Sequence, residues 1–324
     1  MTATTISTAS RLLAAFAALV TATSVYAQSF PSGTLRILVP VPPGGPLDLT
    51  ARVLAEHLST AFERPVIVEN RPGSGTLLAA RAVAQAERSG HTLLLSTSSL
   101  SSYSSFFKDP QVDMQKDLTF VSMVARVPMF LAVSTSERYN TVADLVSAAK
   151  SAPNRLNYPS YGNANRVMSE LLNRSLGIQL THIGYGGAAP AAQALMRGDV
   201  AYLLDSMSTL APLLGGGKVK VLAVTEPARV PSHPQIPTLT EAGFHMPDFS
   251  VWYGLVGPAG MPADVTEKLS REVATFAKSP KARARLESLG FALAATTPIE
   301  LRQTVLRGEE MFRDISRSLD IQPE

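Results

Sequence analysis

Short, nearly continuous apolar runs alternate along this chain with longer stretches whose apolar positions recur every three or four residues. LRILV (residues 35–39) reads as a strand, and LTARVLAEHLSTAF (49–62) as a helix with Leu49, Val53, Leu54 and Leu58 on one face. PVIVEN (65–70), TLLAARAVAQAE (76–87) and HTLLLST (91–97) repeat strand, helix and strand. Strands alternating with helices predict a doubly wound α/β unit with a parallel sheet, whose ligand sites lie at the carboxyl ends of the strands.

The pattern then restarts. FVSMVARV and MFLAVST (120–135) are apolar runs that carry the chain into a second unit, and Thr141 is placed to N-cap VADLVSAAK. LNYPS (156–160) reads as a strand, RVMSELLNRSLG as a helix, and THIGYGGAAP with AAQALMRGDVAYLLD as strand, turn, helix and strand ending at Asp205. VKVLAVTE (219–226) is expected to return the chain to the first unit. A Pro-rich loop, the strand VWYGLVGP and helices over 263–278 and 297–318 complete it.

Two connections differ from ordinary loops. Between the first strand and helix lie Pro42, Pro43, Gly44, Gly45 and Pro46, with Asp48 at the helix start. Prolines stop the strand, and glycines let the backbone turn with its N–H groups exposed. The positive end of the following helix then points at whatever occupies the turn, an arrangement suited to an anion such as a carboxylate. The second connection, Tyr161, Gly162, Asn163, Ala164 and Asn165, leads into a helix in the same way.

Composition narrows the possibilities. Arg11, an apolar run over 12–20 and the small-residue pattern at 25–27 read as a secretory leader (1–27) cleaved after Ala27, which predicts an exported protein. With no cysteine, disulfides, thiolate metal sites and cysteine nucleophiles are excluded. The five histidines lack ligand spacing, so no metal site is expected. A net charge of +3 without a basic cluster interleaved with aromatics argues against nucleic-acid binding. No Gly-x-Ser-x-Gly elbow, P-loop or dinucleotide motif is present, so no catalytic residue and no cofactor are expected. An exported protein with a cleft and no catalytic set points to binding.

LRILVPVPPGGPLDLTARVLAEHL, PVIVENRPGSGTLLAARAVAQAERSGHTLLL, THIGYGGAAPAAQALMRGDVAYLLD, VKVLAVTEPAR, IPTLTEAGF and VWYGLVGPAGMP together carry a family resemblance. The chain resembles the extracytoplasmic solute-binding proteins of tripartite tricarboxylate transporters, the Bug family, over essentially its whole length after the leader. The resemblance implies a periplasmic binding protein of the type II-like, Venus flytrap kind: two α/β domains joined by two crossovers, closing over a small carboxylate. The limits expected are 28–128 plus 227–324 for one domain and 129–226 for the other. It further implies a monomer that is not an enzyme and that delivers its ligand to transporter membrane subunits. Presentation of the ligand to a sensor kinase, or a secreted enzyme acting on carboxylates, are the rival readings.

Carried onto this sequence, the resemblance places the first carboxylate-binding turn on Pro43, Gly44, Gly45 and Pro46 with Asp48, and the second on residues 162–166. Asp205 matches a family aspartate at a strand end, and Ser96, Thr97 and Ser98 follow the third strand. The second turn is shorter than is common in the family, with Arg166 where a histidine usually falls. Several roles stay open. Asp48 caps its own helix or touches ligand, and Arg166 clamps a carboxylate or pairs with Glu170. Asp205 faces the cleft or ends a strand. Tyr161 and Tyr185 stack on a ligand or pack. Arg166 beside Tyr161 leans the expected ligand toward a dicarboxylate or an aromatic carboxylate.

Overall fold

The structure is a computed structural model that describes residues 30–73, 76–161, 163–245, 251–288 and 290–323; the expected leader and Gly162 lie outside them. In chain order the first elements are β1 (Leu35–Val39), α1 (Pro46–Phe62), β2 (Val66–Asn70), α2 (Leu77–Ala84), β3 (Thr92–Thr97), a 3-10 turn (Ser98–Ser102), α3 (Tyr103–Phe106) and β4 (Leu118–Val127). Next come β5 (Met129–Ser134), α4 (Val142–Ser151), β6 (Asn157–Ser160), α5 (Asn163–Leu176), β7 (Thr181–Gly184), α6 (Ala188–Arg197), β8 (Leu203–Ser206), α7 (Met207–Gly215) and β9 (Val219–Val224). The chain ends with β10 (Val251–Pro258), α8 (Ala263–Lys278), α9 (Pro280–Glu287), β11 (Ala292–Leu293) and α10 (Pro298–Ser318).

Six strands form one sheet in the order β11-β4-β10-β3-β1-β2. β1 pairs in parallel with β2 and β3, as the repeating strand–helix pattern predicts. β10 enters antiparallel between β3 and β4, so the sheet is mixed. Ile37, Val39, Leu93, Leu95 and Leu255 have no or almost no exposure, which is why these strands read as unbroken apolar runs. β5 opens a second, antiparallel sheet in the order β8-β5-β9, and β6 pairs in parallel with β7 beside it.

Local chemistry starts the helices where the sequence indicates. Gly45 is the N-cap of α1 with Pro46 at its first position, where a missing N–H costs nothing. Thr141 caps α4 through a full capping box with Asp144. The helix at Met207–Gly215 carries Pro212 inside it and has no strong apolar period, and no such helix is legible in the sequence.

β9 pairs with β5 in the second sheet, and the following Pro-rich segment stays there: Thr238 bridges to Val224, and Val230 and Ile236 join that sheet's core. Prolines fix the loop's course while Val230, Ile236 and Leu239 supply apolar anchors, at 4%, 8% and 2% exposure. Arg126 on β4 of the first sheet and Glu226, just past β9 of the second, form an ion pair of 3.2 Å.

Candidate functional site

The first turn projects from the end of β1. Pro43, Gly44 and Pro46 are exposed and Gly45 half-exposed, while the helix behind them is anchored by buried Leu47, Ala51 and Leu54. Gly44 has φ +92°, a left-handed conformation that favours glycine. Its N–H donates to Asp48 Oδ2 at 2.9 Å. Asp48 is 2% exposed and fully engaged: Arg52 donates to both its oxygens at 2.9 and 3.0 Å, and Asn70 Nδ2 to Oδ1 at 2.8 Å. Burial raises the Asp48 pKa, but the bonds from Arg52, Gly44 and Asn70 outweigh it and hold it at about 2.

Asp48 is therefore the brace of the turn. Of the two readings left open by the sequence, the local one describes its contacts, although it reaches back to Gly44 and does not act as N-cap. Among the described residues the Gly45 amide has no hydrogen-bond partner. The Asp48–Arg52 link is legible in the sequence as an i,i+4 pair. Asn70, which also donates to Val41 O at 3.0 Å, carries no signal in sequence, because the parallel pairing of β1 with β2 brings it there.

The second turn is tied down by two bonds. Tyr161 N donates to Asn165 Oδ1 at 3.2 Å, and the Tyr161 hydroxyl donates to Asp205 Oδ2 at 2.6 Å. Asp205, on β8 and 5% exposed, also accepts from Ser206 N at 2.7 Å. Burial pushes its carboxyl above the ordinary range, partly offset by Tyr161 and Ser206. Burial and the adjacent Asp205 carboxylate push the Tyr161 phenol up as well. Tyr161 and Tyr185 both pack, half-buried, against the core cluster of Phe130 and Leu203. Asn163 and Ala164 form the first turn of α5, with Ala164 packed against the neighbouring core.

Of the two roles left open for Arg166, the pairing with Glu170 is not formed. Burial pushes the Tyr158 phenol up and the His182 imidazole down, with the nearby Arg166 charge opposing the first shift and adding to the second, and Arg166 Nε is buried without a hydrogen-bond partner. Glu170 instead pairs with Arg174 at 3.4 Å. His182 Nε2 and Ser160 Oγ lie 2.6 Å apart, and Tyr158 stacks on Tyr202, so this face of β6 and β7 is a packed polar layer under α5.

Ser96 and Thr97 end β3 and do not follow it, and Ser98 opens the 3-10 turn. Ser96 is 0% and Ser98 7% exposed, and Thr97 Oγ1 caps the 3-10 turn by accepting from Ser99 N. A cavity of about 620 Å³ lies elsewhere, between the 3-10 turn, residues 109–116 and α10, and shares no residue with the two turns. Among the described residues no group of three or more acidic, His or Cys side chains could hold a metal ion.

Residues 50–307 match the model of the tripartite tricarboxylate transporter family receptor. The chain belongs to that family. A curated relative, the UPF0065 protein of the tcbD-tcbE intergenic region of Pseudomonas sp. strain P51, is 33% identical over 297 residues, covering 89% of this chain and 88% of the relative. Among solved structures, Rpa4515 of R. palustris with adipate superposes with TM-score 0.75 at 28% identity, covering 91% and 100% of the two chains. The periplasmic binding protein BugD gives 0.71 at 27%, covering 91% and 100%. MatC (Rpa3494) from Rhodopseudomonas palustris with bound malate gives 0.67 at 29%, covering 88% and 99%. The fold is thus that of a periplasmic binding protein, and the family is one of solute-binding receptors rather than enzymes.

Proposed function

We propose that this protein is a periplasmic receptor that captures a small organic carboxylate between two lobes and delivers it to the membrane subunits of a tripartite tricarboxylate transporter. The lobes are built on the two sheets, the second extending to about residue 245. Adipate and malate, held by the structural neighbours, are both dicarboxylates and make a C4–C6 dicarboxylic acid the ligand of choice for a first test.

One observation carries this reading. Gly44 and Gly45 form an exposed turn at the start of a seventeen-residue helix, braced from behind by Asp48 so that its shape is set before any ligand arrives. The orphan N–H groups of a first helical turn, with the helix's positive end, hold an anion without a charged side chain. The start of α5 supplies a second such end from the other lobe.

The test uses the geometry of Gly45. Its φ of −79° and ψ of 170° suit any residue, and a β-carbon there meets nothing within 4 Å. Gly45→Val therefore leaves the fold intact while placing a branched side chain where a carboxylate would approach. In a thermal-shift screen, an acid at about a hundred times its Kd adds roughly 2.7 kcal/mol to wild-type stability. The expected result is a shift with adipate or malate that Gly45→Val loses, with affinity down at least about tenfold (1.4 kcal/mol). No shift with any organic acid, or a shift that Gly45→Val leaves intact, overturns the assignment.

A further inference from the structure

Helix α10 begins in one lobe and ends in the other. Leu301 and Val305, 0% and 1% exposed, share a core cluster with Trp252 and Met123 of the first sheet. At Gly308 the helix presses on the 3-10 turn so closely that a β-carbon would stand 2.8 Å from Ser101 Cβ. Four residues on, the surroundings change. Phe312 and Ile315 belong to the core cluster of the second lobe, with Leu131, Leu171 and Leu172. The Phe312 ring meets Phe106 of α3 edge-on at 5.8 Å between centroids. Past the helix, Leu319 and Ile321 pack on the same cluster, and Arg174 of α5 donates to Ser318 Oγ.

One stiff element is thus seated in both lobes, and along α3, α10 and α5 the lobes share a single apolar seam. Packed interiors do not deform smoothly. A motion that pulled Phe312 and Ile315 out of their cluster on each cycle would set the loss of that burial against the ligand's binding energy. A motion that turns about the seam leaves it buried throughout.

We propose that α10 is a strap and that its seam with α5 is the pivot of lobe closure. This rests on the two-lobed receptor reading above. It gives the C-terminal segment a mechanical task.

The chain has no cysteine, so Arg174→Cys with Ser318→Cys creates a unique pair that a short bis-maleimide bridges. If the seam is the pivot, the bridged protein binds adipate within about threefold of wild type and contracts with it in small-angle scattering as wild type does. A loss of tenfold or more, or a bridged protein that no longer contracts, overturns the pivot. Amide exchange on the unmodified protein tests the same point without a variant: amides 312–318 are to be equally protected with and without adipate. Changed protection there in a protein that binds adipate overturns the pivot alone. Failure of the wild type to bind any organic acid overturns the receptor reading and the pivot together.

Discussion

Asp48 shows how a single side chain sets the conformation of a candidate site. Its carboxylate is buried, and its pKa stands at about 2 against an ordinary 3.8. A depressed carboxyl contributes stability that is complete above the unfolded-state value and is lost as pH falls through the folded one. At roughly 1.36 kcal/mol for each pH unit separating the two values, the contribution at neutral pH is about 2.5 kcal/mol. Asp48→Asn is expected to lose about that much in urea unfolding at pH 7. The gap between variant and wild type should close as pH approaches 2, where wild-type Asp48 is itself protonating. A deficit that stays constant down to that pH would show that shape and not charge is what Asp48 supplies. The Pro-Pro-Gly-Gly turn is legible in the sequence because its chemistry is local. The brace is half legible, since Arg52 lies one helical turn from Asp48 while Asn70 arrives through strand pairing.

At the scale of elements, Tyr161 and Asp205 link the loop after β6 to the end of β8, 44 residues apart in sequence. Each is a candidate from its strand-end position, yet nothing in the sequence joins them; the bond is a product of how the second lobe folds. The nearness of Arg166 to His182 is illegible for the same reason, because the pairing of β6 with β7 brings the two together. Strands and amphipathic helices are legible from periodicity, whereas α7, with Pro212 inside it, is not. The Tyr161–Asp205 bond predicts an asymmetry between two substitutions. Tyr161→Phe removes the donor from a buried carboxylate oxygen, at a cost of about 1–3 kcal/mol. Asp205→Asn keeps the shape and can still meet both partners, so its cost is smaller. The pH dependence also has a sign. A carboxyl raised by burial favours the fold most when protonated, and that advantage is lost as pH rises from the unfolded-state value through the folded one. Tyr161→Phe raises Asp205 further, so its deficit should be largest at neutral pH and shrink at about pH 4, close to the ordinary aspartate value. Equal deficits for both variants at both pH values would mean that the bond is not what holds the turn.

At the scale of the whole molecule, a one-residue step between β4 and β5 and the shared core along α10 join the two sheets. In the proposed receptor, two turns on separate lobes confer affinity only when the lobes bring them together, so a ligand shifts the equilibrium by its preference for the closed form. Moving a population from mostly open to mostly closed, 1:99 to 99:1, takes about 5.5 kcal/mol of differential binding. A ligand whose intrinsic affinity for the closed form is micromolar, about 8 kcal/mol, gives up about 2.7 kcal/mol to reach a form populated at about 1% and keeps about 5.5 kcal/mol as net affinity. A compact body of roughly 300 residues has a radius of gyration of about 19 Å, and an open two-lobed molecule exceeds it. Saturation with the acid found by thermal shift should therefore bring the measured radius down toward that value. Gly45→Val at the same acid concentration should keep the open radius, because it loses the contact that rewards closure. An identical scattering profile for wild type with and without a bound acid would remove closure from the mechanism and leave a rigid receptor.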